Sequence, residues 1–330
     1  MANNLIIGAG AIGTVFAGYL TAARRPLRVA ERSECIDAIA RQEHLQIDRI
    51  TGRPPLRVPK PTLTTDSVPR EGDTVFICIK HRDLQALMDS WPEHLPGGVT
   101  LIPCLNGIGA SRELQLRFPG THIVTLTIMF NAQLLEPLHA RVTARPQILL
   151  NTDNKHLLGL FGNSGVDVRR ADGTAAAWGK LLINLANGIC ALTNTTFKDL
   201  LTQPLLGQCF VALLDEATEI LNQAGISFQL PVALPYPVYR LFLLHGGPLP
   251  WWVGKLRNNM SAGSYPSMVA DLRRGHTTEV RQLNGEITHL AASLGSQAPR
   301  NQLIVELIEQ RHGQAQHDFL SPSELAALLL

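Results

Sequence analysis

Residues 4–23 constrain this chain more than any other stretch. A short apolar run, Asn4–Ile7, leads into Gly8-Ala9-Gly10-Ala11-Ile12-Gly13, and an apolar-periodic helix is predicted from there to about Ala23. Strand, glycine turn with G-x-G-x-x-G spacing, then helix is the opening of a βαβ unit that binds a dinucleotide. The first glycine permits the tight turn, the second lets a pyrophosphate approach the backbone, and the third lets the helix pack close to the strand. The unpaired N–H groups of the helix start, at the positive end of its dipole, then meet the phosphates. Residues 8–13 are the expected cofactor loop.

The alternation continues. LRVAE (27–31), TVFICI (74–79), VTLIPCL (99–105) and HIVTLTIMF (122–130) read as strands, with helical segments at about 82–90 and 109–117. Continuous β-branched runs of this kind are buried on both faces of a parallel sheet. Residues 140–150 and 165–170 are expected as further strands, antiparallel at the sheet edge. After Asp172 the pattern turns helical: a long helix opens at ADGTAAAWGKLL, another ends at Gly225, and 267–295 reads as two helices joined near Gly275. The expected fold is an α/β Rossmann-type N-terminal domain with a mostly parallel sheet (1–172), followed by an all-α C-terminal domain (173–330).

Composition removes several function classes. Hydrophobic residues make up 45% of the 330 and charged ones 17%, and the formal net charge is +2 with its arginine pairs scattered. No basic stripe suggests nucleic acid or a membrane surface. Five cysteines lack CxxC spacing and the histidines lack HxxxH spacing, so neither a disulfide framework nor a metal is expected. The uncharged stretch Leu5–Ala23 has no basic residue before it and is broken by glycines, unlike a signal anchor. The expectation is a cytoplasmic protein. The apolar tail, Leu325–Leu330, leaves two arrangements open, packing on its own domain or across a homodimer.

Several polar residues stand where ligands would be met. Lys80 ends VFICIK and Asn106 ends LIPCLN, both just beyond strand C-termini, where open parallel sheets bind ligands. At the end of the second strand Glu31 and Arg32 are adjacent. A carboxylate there would bond a ribose 2′-OH and favour NAD, whereas an arginine would pair with the 2′-phosphate of NADP. In WGKLLINLANG, Lys180, Asn184 and Asn187 fall at spacings of four and three, forming one narrow polar stripe on an otherwise apolar helix. Facing a hydride donor, such a lysine can stabilise a developing alkoxide and deliver its proton. The asparagines would hold a carboxylate or hydroxyl. The same stripe also fits a helix that turns one polar side to solvent.

GAGAIG at 8–13, IK at 79–80, LNGIG at 105–109, WGKLLIN at 178–184 and PSMVADLRRGHTTEVRQLNGEI at 266–287 together resemble the ketopantoate reductase family (2-dehydropantoate 2-reductase). The resemblance implies reduction of ketopantoate to pantoate with NADPH, on the route to pantothenate and coenzyme A. It implies Lys180 as general acid and Glu279 as the carboxylate that binds the substrate hydroxyl and orients the lysine. Asn106 would sit between nicotinamide and substrate, Lys80 on the cofactor side, and Arg32 at the 2′-phosphate. Ser267 would hold the substrate carboxylate, with Asn184 a further substrate contact.

The chain departs from the family pattern at three places. Gly188 stands where a second asparagine is expected, with Asn187 one place early. Ser264 replaces an asparagine, and Glu31 precedes Arg32. The first two are expected to alter the substrate pocket and the third the cofactor preference. Two other readings stay open: a reductase of another 2-oxo acid on the same frame, and a non-catalytic NADP(H) sensor, which would have no use for both Lys180 and Glu279.

Overall fold

Alternate residues of the central strands are buried in two different cores. Leu5, Ile7, Val75, Ile77 and Leu101 pack with Leu84, Met88, Leu114 and Trp91. Ile6, Phe76, Ile102 and Val29 pack on the other side with Phe16, Tyr19 and Phe161. A strand sends successive side chains to opposite faces, so a sheet buried on both faces must be apolar throughout. That explains the continuous runs in the sequence.

The computed structural model describes residues 3–50, 53–142, 145–232, 234–258, 263, 265–314 and 318–330; Ser264 lies outside them. The strands are β1 (Asn4–Ile7), β2 (Leu27–Ala30), β3 (His44–Asp48), β4 (Leu56–Pro59), β5 (Thr62–Thr64), β6 (Thr74–Ile77), β7 (Thr100–Pro103) and β8 (His122–Ile123). They are followed by β9 (Leu126–Ile128), β10 (Ala132–Glu136), β11 (His139–Val142), β12 (Gln147–Leu150) and β13 (Asp167–Arg170). Among them run helices α1 (Ala11–Ala22), α2 (Ser33–Ala40), α3 (Leu84–Asp89), α4 (Gly109–Arg117) and α5 (Lys155–Leu158). The main sheet is parallel, in the order β5-β2-β1-β6-β7-β8. The order reverses between β1 and β6, and ligands of doubly wound sheets bind beyond the strand ends at such a switch point.

Two smaller sheets differ from the expected edge strands. HIVTLTIMF is not one strand: β8 joins the parallel sheet, and the chain then turns so that β9 pairs with β12. β12 runs parallel to β13 and antiparallel to β9 in a separate three-stranded sheet. β11 belongs to a four-stranded sheet ordered β10-β11-β3-β4, where it runs parallel to β3.

Helices α6 (Ala175–Asn184), α7 (Ala186–Thr193), α8 (Phe197–Thr202), α9 (Pro204–Gln223) and α10 (Tyr236–His245) follow. The last are α11 (Leu249–Asn258), α12 (Ser267–Arg273), α13 (Asn284–Ser293), α14 (Pro299–Glu309) and α15 (Pro322–Leu329). No strand occurs here among the described residues. The chain divides into two compact units: residues 1–105 with 109–174, and residues 106–108 with 175–330. The long helix of the second unit is interrupted at Leu185, whose N–H is shared between the carbonyls of Leu181 and Leu182. Ala175–Thr193 has the length and mean hydropathy (1.3) of a membrane span, but its apolar residues belong to the helical unit's own core.

The tail packs on its own unit. Leu325, Ala326 and Leu329 join the helical core, and Ser321 and Glu324 form a reciprocal capping box at the start of α15. Helix does not resume after Gly275 as expected. α13 begins only at Asn284, which leaves an irregular segment that carries Glu279.

Candidate functional site

In the α/β unit, packing requires two of the three motif glycines. Gly8 has φ +94°, and a Cβ there would stand 2.8 Å from the Cys78 carbonyl oxygen. A Cβ on Gly13 would run into the Gly8 carbonyl. Gly10, by contrast, faces open space. It is the N-cap of α1 and supplies no side-chain acceptor, so the first-turn N–H groups of Ala11, Ile12 and Gly13 are left for another acceptor. Packing closes two positions and leaves the third open, which fits a phosphate at this loop.

The end of β2 is tied into the same loop. Glu31 N–H donates to the Thr64 carbonyl, which holds the strand end on β5. The Glu31 carboxylate then turns inward: Oε2 accepts from the Ala9 N–H at 2.7 Å and Oε1 from the Arg32 N–H at 2.9 Å. Arg32 turns outward and is the N-cap residue of α2. Its Nε lies 3.6 Å from Glu34 Oε1 and 3.9 Å from Glu31 Oε1. Lys80 is exposed just after β6 and precedes a short helical turn.

In the helical unit, three expected residues form one constellation. Asn106 Nδ2 donates to Glu279 Oε2 at 2.9 Å, across 173 residues of sequence. Gly107 makes this approach possible: it has φ +85°, and a Cβ would collide with the Gln282 carbonyl. Lys180 lies on α6, and burial holds its pKa down to about 8 against the opposing pull of the Glu279 charge. No carboxylate comes within 4 Å of the Lys180 ammonium among the described residues, so Glu279 acts on it through space. A half-buried lysine of lowered pKa, with a carboxylate nearby to keep it charged, is equipped to give a proton to an oxygen.

The remaining expected residues are placed less centrally. Asn184 is the last residue of α6 and half-buried, and the Oδ1 of Asn187 is enclosed with no hydrogen-bond partner. Ser267 is exposed at the first position of α12, and no hydrogen bond ties it to Lys180, Glu279 or Asn106 among the described residues.

The expectation for Gly188 is corrected. A Cβ there would stand 2.5 Å from Ile304 Cγ2 and 3.1 Å from Asn284 Oδ1. The position faces the packing of α7 on α14, not an open pocket, and an asparagine does not fit it.

Sequence reasoning also missed Gly179. A Cβ on it would overlap the Gln229 carbonyl, so α6 lies directly on the 229–230 backbone beside Lys180. Only the adjacency of a glycine and the lysine in WGK hinted at this. Glu216 was missed as well. This buried carboxylate accepts from the N–H groups of Arg300 and Asn301 and so caps α14, a structural role.

Comparison with known proteins gives a consistent result. The family model described as "Ketopantoate reductase PanE/ApbA" matches residues 4–154, and that described as "Ketopantoate reductase PanE/ApbA C terminal" matches residues 172–312. A protein of Aquifex aeolicus named 2-dehydropantoate 2-reductase is 23% identical over 319 residues, 93% of this chain and 96% of the relative. Among solved structures, a PanE/ApbA family ketopantoate reductase from Ralstonia eutropha superposes with TM-score 0.76 at 21% identity, covering 95% of this chain and all of that one (100%). D-mandelate dehydrogenase with NADH and anilino(oxo)acetate superposes with TM-score 0.76 at 19% identity, covering 94% and 99% of the two chains.

Proposed function

The chain belongs to the ketopantoate reductase family, and from that premise we propose that it reduces ketopantoate to (R)-pantoate in the cytoplasm, in pantothenate and coenzyme A biosynthesis. The observation that carries the reading is the Lys180–Glu279–Asn106 constellation, with Lys180 brought by burial to a pKa of about 8. The glycine loop at 8–13 and the end of β2 fit a dinucleotide. When bound, a reduced nicotinamide dinucleotide supplies the hydride that reduces a carbonyl carbon.

The chain's own residues have the remaining tasks. Lys180 faces the carbonyl oxygen, stabilises its growing negative charge and gives it a proton. Glu279 keeps the lysine charged and accepts from the terminal hydroxyl of ketopantoate. Asn106 fixes the Glu279 carboxylate through the 2.9 Å bond. Asn184 and Asn187 offer polar contacts one and two turns along the helix from Lys180. NADPH is the cofactor that the resemblance implies, with Arg32 on its 2′-phosphate; the geometry at the end of β2 argues for a different choice, developed below.

A second reading, reduction of another 2-oxo acid on the same frame, would keep the roles of Lys180 and Glu279 and differ in the rest of the substrate pocket. The test is nicotinamide oxidation followed against a panel of 2-oxo acids. Ketopantoate should give the highest kcat/KM, above 2-oxoisovalerate, which lacks the hydroxyl. Preference for 2-oxoisovalerate would favour the second reading.

A further inference from the structure

The end of β2 carries one inward carboxylate and one outward guanidinium, and they do not have equal access to a bound nucleotide. The Glu31 side chain is 14% exposed and bonded to the loop through Ala9 N–H, whereas that of Arg32 is 70% exposed. We propose that Glu31, not Arg32, reads the adenosine ribose, and that this enzyme uses NADH in preference to NADPH. The proposal rests on the reading of residues 8–13 as a dinucleotide site.

Three features of the strand end point the same way. An ionised carboxylate has about four acceptor positions. The N–H groups of Ala9 and Arg32 use two, and the others remain for donors. The 2′- and 3′-hydroxyls of an unmodified ribose are donors; a 2′-phosphate is an acceptor with a charge of about −2, and it would be repelled. The Arg32 charge is also shared between Glu31 and Glu34, 3.9 and 3.6 Å from its Nε. These three side chains together are net negative, which opposes a phosphate.

The carboxylate is also held in place before any ligand arrives. Glu31 N–H is fixed on Thr64, and Oε2 is fixed on the residue between the first two motif glycines. Turning Glu31 away to admit a phosphate would break the 2.7 Å bond and leave the Ala9 N–H without its acceptor. Arg32 has no such anchor on the loop.

The test measures dinucleotide binding to the purified full-length protein at physiological salt, by nicotinamide fluorescence and calorimetry, with no 2-oxo acid present. Wild type should bind NADH about tenfold to a hundredfold more tightly than NADPH, the span of one charge-assisted hydrogen bond. Glu31→Gln should weaken NADH and strengthen NADPH, and Arg32→Ala should move that ratio less than Glu31→Gln does. AMP should also compete better than adenosine 2′,5′-bisphosphate on wild-type protein, a comparison that needs no variant to fold. Tighter binding of NADPH by wild type, with that advantage lost in Arg32→Ala, would overturn the proposal and leave the reductase reading intact. Folded protein that binds neither dinucleotide would overturn both.

Discussion

The proton that Lys180 carries should set the alkaline side of the pH profile. Burial disfavours the charged form and brings the group to about 8, while the Glu279 charge opposes that fall. The ammonium is the active form, so kcat/KM should be level below about pH 8 and fall about tenfold per unit above it. Glu279→Gln removes the charge that raises Lys180, so the alkaline limb should move to lower pH. A limb that stays in place in pH–rate profiles would mean that some other group controls it. Lys180→Ala should lower kcat by about 10²–10⁴-fold with little change in dinucleotide binding, the cost of a lost proton donor. Near-wild-type turnover would return the polar stripe to a solvated helix face.

Gly179 shows how the position of that lysine is set by the packing of its helix. Gly179→Ala places a methyl on the Gln229 carbonyl, so α6 has to lift from the 229–230 backbone. A cost of about 1–3 kcal/mol is expected from such overpacking, with kcat falling as Lys180 shifts; denaturant midpoints and turnover check both. At the same scale, Gly188→Asn should destabilise the α7–α14 contact and fail to improve ketopantoate binding. A tighter KM in a stable variant would show that position 188 lines the pocket after all. These contacts explain what was legible. β1, α1, β6 and β7 follow from local pattern alone, because each is a single apolar run or stripe. β3 and β11 do not: HLQID and HARV are short and half polar, and they pair across 93 residues, as His139 with Gln46. The close approaches of Gly179, Gly107 and Gly188 depend on backbone or side chains from distant segments. The sequence shows a glycine at each, and the reason lies elsewhere in the chain.

The division of the molecule does not follow one cut in the sequence. Residues 106–108 come from the strand-and-helix half yet belong to the helical unit, where Asn106 donates to Glu279 and Ile108 packs on the helical core. Gly107 is the hinge of this insertion, since its φ of +85° and the nearby Gln282 carbonyl both exclude a side chain. Gly107→Ala should therefore destabilise by about 1–3 kcal/mol through backbone strain and displacement. The loss should be local to one unit. Hydrogen exchange on the intact chain should speed up in α6, α12 and the 276–283 segment, while β1 and β6 keep their protection. Loss of the Asn106 bond frees the Glu279 carboxylate, so kcat should fall more than KM rises. Equal loss of protection in both units would show that 106–108 is not held by the helical unit alone. Unchanged kcat in a destabilised variant would show that Asn106 serves packing and not the placement of Glu279.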